Sequence, residues 1–301
     1  MTDRTARVAG PAPGLLLTRS PALAPLLARG TLLSAFRHPA PDASFPRTRL
    51  VLPDLRVDLA RLTAYERVCG FATGEHALPI TYPHVLGFPL AMRLMSGRDF
   101  PLPLPGLVHT SIEIVRHTAP PATGAYELSA YIAGLAPHRR GTEAIVVTEA
   151  RAGGAVVWES RSTYLARHRT AGPTPASRPS DGGPGPDPLP VVAEWRLAAD
   201  LGRRYGAASG DRNPIHLHPL AARLFGFPRT VAHGMWTVAR CLAAHGTAPS
   251  ARVRAEFRSP VLLPETVQYA AAGGHFELRG ADGRVHVRGQ VDPWAPGPDV
   301  S

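Results

Sequence analysis

Asp211, Asn213 and His216 place a carboxyl, an amide and an imidazole within six positions, at the end of the run Tyr205-Gly206-Ala207-Ala208-Ser209-Gly210-Asp211-Arg212-Asn213-Pro214-Ile215-His216. A carboxylate beside an imidazole in a partly dry setting shares the taking and giving of protons near neutral pH, which is general acid–base chemistry. The sequence also encodes a turn that brings them together. Gly210 tolerates torsions that other residues avoid, Asp211 bonds to local backbone donors, and Asn213-Pro214 keeps the chain extended before Ile215. The expectation is a compact, non-helical loop on which Asp211 and His216 converge from two sides. Ile215, Leu217, Leu220 and Phe225 would seat that loop against a core.

Taken singly, each residue has a plainer reading. Asp211 and Asn213 alone are turn formers with local hydrogen bonds. His216 and His218 read as a surface pair at the start of a helix with Pro219 in its first turn. Zinc would require further Cys or His ligands at ligand spacing, and none accompanies this stretch, so no metal is assigned.

The longer pattern changes the weighting. Downstream stand Phe225-Gly226-Phe227-Pro228 and Ala232-His233-Gly234-Met235. Tyr205, Ser209-Gly210-Asp211, Asn213-Pro214-Ile215-His216, Gly226-Phe227 and His233-Gly234 together resemble the signature of the MaoC-like dehydratases and R-specific enoyl-CoA hydratases. The resemblance implies that Asp211 and His216 hold a reacting water and that Asn213 orients them. It also implies that the backbone N–H of Gly234, at the start of a central helix, forms an oxyanion hole. The activity implied is a hydro-lyase reaction, the reversible dehydration of (3R)-hydroxyacyl thioesters of CoA or acyl carrier protein to trans-2-enoyl thioesters, within fatty-acid metabolism. No cofactor, metal or organic, is implied. Which of Asp211 and His216 handles the C2 proton stays open.

Substrate contacts are expected from His233, Arg254 and Arg258. The strand Arg254-Ala255-Glu256-Phe257-Arg258-Ser259-Pro260 loosely matches the family's basic-x-Phe-x-x-Pro strand, and guanidinium suits the phosphate of pantetheine or an acidic carrier protein. A solvated strand face is the competing reading. Two other functions use the same fold: a hotdog acyl-CoA thioesterase, whose catalytic carboxylate sits elsewhere, and a non-catalytic acyl-CoA-binding protein, which would not need the dyad.

The elements that must position these groups come from the rest of the chain. Its 301 residues exceed one small domain, and the net charge of +10 favours anionic partners. Every basic side chain counted is arginine, dispersed rather than clustered, and no nucleic-acid motif appears. Cys69 and Cys241 sit in apolar helical contexts and read as buried free thiols. Residues 1–45 read as an arm with one or two short helices packed on the body. That arm carries too many prolines and arginines to cross a bilayer and lacks the plan of an export signal, so a cytoplasmic protein without membrane insertion is expected.

Residues 46–169 read as a first domain. Leu50 to Val57 is extended, Leu59 to Val68 an amphipathic helix, Thr81 to Met95 a buried helix, and four strand-like runs follow between Val108 and Leu165. Residues 170–190 are a Pro/Gly-rich linker, residues 191–293 a second domain, and residues 294–301 a tail. In the second domain a short strand leads to a helix over Ala199 to Ala207, then the signature loop, a central helix over Val231 to His245, and four more strands.

The two domains read as distant repeats. Tyr65 to Gly70 lies on Tyr205 to Gly210, and Thr81-Tyr82-Pro83-His84 through Gly97 lies on Thr230-Val231-Ala232-His233 through Gly246. Phe71 then stands where Asp211 does, Val85 where Gly234 does, and His76 falls at the His216 offset without an acid beside it. The first domain therefore reads as a degenerate, non-catalytic copy. This arrangement is similar to double-hotdog members of the family, including actinobacterial 3-hydroxyacyl-thioester dehydratases, as are Leu78-Pro79-Ile80-Thr81-Tyr82-Pro83 and His138-Arg139-Arg140-Gly141. The fold implied is α+β: a double hotdog of two antiparallel sheets, each wrapping a central helix, packed as a pseudo-dimer. A homodimer of the whole chain is left open.

Overall fold

The computed structural model describes residues 14–170 and 188–295. Two helices seed the architecture, α3 (Tyr82–Met95) and α7 (Gly234–His245), and each is wrapped by strands. Both are apolar nearly all round: α3 buries Tyr82, Val85, Leu90, Met92 and Met95, and α7 buries Met235, Trp236, Val238, Cys241 and Leu242. A helix hydrophobic on every side belongs in a core. Pro83 sits in the first turn of α3, where its missing N–H has no intrahelical acceptor to lose.

The strands are β1 (Gly14–Leu16), β2 (Arg49–Arg56), β3 (Val108–Arg116), β4 (Ala125–His138), β5 (Gly141–Ala152), β6 (Ala155–Arg167), β7 (Val191–Leu197), β8 (Ala251–Phe257), β9 (Glu265–Ala272), β10 (His275–Gly280) and β11 (Val285–Pro293). They run in the order β1-β2-β4-β5-β6-β3-β8-β11-β10-β9-β7. Reading outward from the β3–β8 seam, β6, β5, β4 and β2 on one side answer β11, β10, β9 and β7 on the other. The repeat seen in the sequence is thus a two-fold pattern of strands. The two expected sheets are one continuous sheet, because β3 and β8 pair antiparallel from Ser111↔Glu256 to Arg116↔Ala251. Joining the halves this way satisfies two edges that would otherwise present unpaired backbone groups.

Helices α2 (Leu59–Cys69) and α4 (Leu201–Ser209) occupy equivalent places and pack on each other. Both end on a left-handed glycine, Gly70 (φ +81°) and Gly210 (φ +83°), the two residues aligned by the repeat. Arg61 Nε donates to the Ala208 carbonyl at 2.9 Å, and Trp236 Nε1 donates to the Val68 carbonyl at 2.8 Å, so the halves are tied through their helices as well.

Of the arm, α1 (Leu23–Leu33) packs toward α3, and its Leu23, Leu26 and Leu27 lie against the core. Strand β1 pairs parallel to β2, an edge the sequence did not announce in three residues. Apart from Thr170 and Pro188–Pro190, the linker lies outside the described residues, as do residues 1–13 and 296–301. Trp294 is anchored: its backbone N–H donates to the Ser250 carbonyl at 3.2 Å, and the Arg252 guanidinium lies 4.0 Å from its ring centroid. Cys69 and Cys241 are buried free thiols, and burial pushes both thiol pKa values up. No helix among the described residues is long and apolar enough to cross a membrane.

Candidate active site

The chain leaves α4 at Gly210 and turns by a relay of side chain-to-backbone bonds. The Asp211 N–H donates to Ser209 Oγ at 3.2 Å, the Asn213 N–H to Asp211 Oδ1 at 3.2 Å, and the Ile215 N–H to Asn213 Oδ1 at 3.4 Å. Asp211 and Asn213 are turn formers after all, and this use is what fixes their positions. The expected non-helical loop is corrected at the next residue. Pro214–Leu217 is one helical turn (α5) capped by Asn213, and Pro219–Leu224 (α6) is capped by His218. Asn213 itself is extended (ψ 124°), as a residue before proline should be, but a capping asparagine followed by proline also starts a helix. His218, as one plainer reading had it, is exposed at the start of that second helix.

Helix α4 holds this turn closely because it carries glycine where the turn crosses it. A Cβ at Gly202 would lie 2.0 Å from the His216 carbonyl oxygen, and one at Gly206 would lie 2.8 Å from the Asp211 carbonyl oxygen. Sequence reasoning missed Gly202, since a glycine inside a short helix carries no signal without its neighbour.

His216 Nδ1 lies 2.7 Å from the Val231 carbonyl, which can only accept, so Nδ1 carries the proton and Nε2 is left with its lone pair. His233 stacks on it at 3.7 Å between ring centroids and packs against Tyr205 at 4.7 Å. His233 Nε2 likewise donates to a carbonyl, that of Asp211, at 2.9 Å, and lies 3.9 Å from Asp211 Oδ2. Burial pulls the His216 pKa below its ordinary value, against the opposing pull of the Asp211 carboxylate and the Val231 carbonyl. His233 is pulled well below, by burial first and then by His216. Both rings are therefore neutral at pH 7, and His216 Nε2 is a base held beside a carboxylate. Ligand atoms of Asp211, His216 and His233 all lie within 4.8 Å of one another, a spacing a metal could use. The His216 and His233 rings stack with 26° between their planes, so their in-plane lone pairs run side by side rather than converging on one ion, and the set fits proton transfer better.

Gly234 opens α7, where the first N–H groups have no intrahelical acceptor and the helix dipole is positive. A Cβ there would stand 3.0 Å from Phe257 Cε1, so glycine lets the Phe257 ring close over the helix start. The structure thus brings Asp211, Asn213, His216, His233 and the start of α7 together.

Arg254 and Arg258 are not brought to this place. On β8, Val253 and Ala255 are buried while Arg254 and Glu256 are exposed on the other face. Arg254 pairs with Asp292 at 3.4 Å and with Glu113 at 4.0 Å, and Arg258 pairs with Glu256. The alternation had left a solvated strand face as the competing reading, and these ion pairs occupy it. From the first half, His109 packs against Phe257 and Tyr164, and His84, at the His233 offset of the repeat, faces His109. Burial pulls the His84 pKa down to about 4 against the opposing Asp211 charge, and burial pushes that of Tyr164 up.

A strand-wrapped helix repeated about a seam, with an Asp-x-Asn-Pro-x-His turn against the amino end of one central helix, defines a double-hotdog protein of the MaoC type. A family model described as MaoC like domain matches residues 188–291. Over 237 residues the chain is 37% identical to 3-hydroxyacyl-thioester dehydratase X of Mycobacterium tuberculosis, covering 76% of this chain and 81% of that one. It is 31% identical over 181 residues to 3-hydroxyacyl-thioester dehydratase Y of the same organism, covering 54% and 60%. The crystal structure of HtdX of M. tuberculosis superposes with a TM-score of 0.71 at 34% identity, covering 82% of this chain and all (100%) of that one. The chain belongs to the MaoC-like dehydratase family. A MaoC-like dehydratase from Phytophthora capsici, at 17% identity and a TM-score of 0.66, shares the fold.

Proposed function

We propose that the protein is a hydro-lyase that reversibly dehydrates (3R)-3-hydroxyacyl thioesters to trans-2-enoyl thioesters, with Asp211 and His216 as its catalytic pair. The observation that carries this is the convergence of an Asp211 carboxylate and a lone-pair nitrogen of His216 beside the start of α7.

In the hydration direction, a water held between Asp211 and His216 Nε2 gives one proton to the pair as its oxygen attacks C3. Charge passes to the thioester oxygen, where the Gly234 N–H and the helix dipole stabilise it. The enolate then takes one proton at C2, which returns the pair to its starting state. Dehydration is the reverse, with water leaving from C3. Asn213 acts by holding Asp211 and capping the turn that carries His216. The thioester is presented on CoA or on an acyl carrier protein. The first half, with Phe71 and Val85 at the places of Asp211 and Gly234, makes no second reaction centre.

The test is incubation of purified protein with trans-2-enoyl groups on CoA and on a carrier protein. A (3R)-hydroxyacyl product supports the reading and identifies the preferred carrier, whereas release of free thiol would make the protein a thioesterase. Gly202→Ala should damage the same reaction without touching a reacting group. The added methyl displaces the His216 carbonyl, and overpacking of this kind costs about 1–3 kcal/mol. Turnover is expected to fall more than tenfold. Unaltered kinetics would show that the turn is not held by α4.

A further inference from the structure

His84 is the third residue of α3 and is only 7% exposed; His109 lies on β3 opposite Tyr164 of β6, two residues before the pairing with β8 begins at Ser111. Their rings face each other at 6.0 Å between centroids with an interplanar angle of 13°. His109 also stacks on Tyr164 at 4.5 Å and packs against Phe257 at 4.7 Å, the same Phe257 whose ring closes on Gly234. These contacts run from His84 and His109 of the first half through Phe257 to Gly234 at the start of α7, next to the turn that carries the catalytic pair.

Neither histidine behaves as a settled core residue. His84 Nδ1 and His109 Nε2 are buried with no hydrogen-bond partner, and buried polar groups in folded proteins are nearly always bonded to something. Desolvation holds both rings neutral, His84 pulled down to about 4 and His109 to about 3. A neutral imidazole offers one donor and one acceptor, which suits an amide or a neutral oxygen rather than a phosphate. The repeat sets His84 against a bonded counterpart. In the second half its counterpart His233 is tied to the Asp211 backbone carbonyl, whereas His84 Nδ1 has no partner among the described residues.

We propose that His84 and His109 are a specificity-determining pair, by which the first half grips a neutral hydrogen-bonding group of the thioester flanking the reacting carbons. That group is either an amide of the pantetheine arm or an oxygen borne on the acyl chain; the chemistry is the same. This rests on the dehydratase reading, and its test separates the two.

Two ratios of kcat/KM for hydration are measured. One compares trans-2-enoyl pantetheine with the S-propyl ester, which lacks both amides. The other compares an acyl chain carrying an ether oxygen with its all-carbon analogue. In the unaltered protein at least one ratio is expected to exceed about tenfold, in line with the loss when a buried polar group is left unpaired. His84→Phe and His109→Phe, each confirmed as folded by thermal unfolding, should bring that ratio toward one. His84→Asn places an amide near the lost Nδ1 and His109→Gln places one near the lost Nε2, so these variants should restore much of it. The ratio that responds identifies the group held. Ratios that do not differ between the unaltered protein and the Phe variants overturn the proposal and leave the pair holding water only. Should no ester be hydrated, the dehydratase reading fails on its own; the same ratios are then read as Kd values for the saturated, unreactive thioesters. A collapse in the Phe variants there upholds the pair, and none overturns it.

Discussion

Asp211→Asn is expected to lower kcat for hydration of a trans-2-enoyl thioester about a thousandfold, within the range for removing one general acid–base group. The amide keeps the geometry: its Oδ1 can still accept the Asn213 N–H, and the Asp211 main-chain carbonyl that holds His233 is untouched. What disappears is a charge and a proton acceptor. The loss should therefore fall on kcat, with KM and thermal stability little altered. His216→Ala should cost about as much, and the double variant scarcely more than either, because groups acting as a unit do not add. The pH profile carries a second signature. The Asp211 carboxylate raises the His216 pKa against the effect of burial, so the acidic limb of the residual activity should move to lower pH in Asp211→Asn. A variant with near-normal turnover would remove Asp211 from the chemistry.

The second large effect is on stability. His84 is pulled to about 4 and His109 to about 3, both by burial, from an ordinary value of 6.5. Above pH 6.5 each is neutral whether the chain is folded or not, and stability is at its full value. As the pH falls below 6.5 the unfolded chain takes up protons that the folded one refuses until near those lowered values. Folding should thus weaken by about 2 kcal/mol per histidine between pH 7 and pH 5. His216 and His233, also depressed, act in the same direction. Urea unfolding at pH 7.5 and pH 5.0 should show a drop of several kcal/mol, reduced by about 2 kcal/mol in His109→Phe. Equal stability at the two pH values would mean that these rings protonate freely in the folded protein.

The catalytic turn was legible in the sequence because its geometry is local. Gly210, Asp211, Asn213 and Pro214 each act on backbone groups one or two residues away, and the aligned Gly70 and Gly210 share one helix stop. The central helices and the strands of both halves followed from their apolar runs for the same reason. The helical turn after Asn213 was misread because extended and capping roles draw on the same residues, and only the fold chooses between them. What could not be read was non-local. The β3–β8 pairing that merges two sheets joins residues more than a hundred positions apart, and periodicity does not report partners. Arg254 looked available for phosphate because Glu113 and Asp292, its partners, lie on strands β3 and β11. His84 and His109 were hidden likewise, although His84 already stood opposite His233 in the repeat; their setting emerges only when β8 carries Phe257 against His109 and against Gly234 at the start of α7.

Hydration of a trans-2-enoyl-CoA in deuterated water, with the product resolved by chirality and mass, tests the central claim most directly. The account predicts the (3R)-hydroxyacyl-CoA with one deuterium at C2, formed by the unaltered protein and lost in Asp211→Asn. Free CoA with no hydroxylated product, or a hydroxylated product formed equally well by Asp211→Asn, would contradict it.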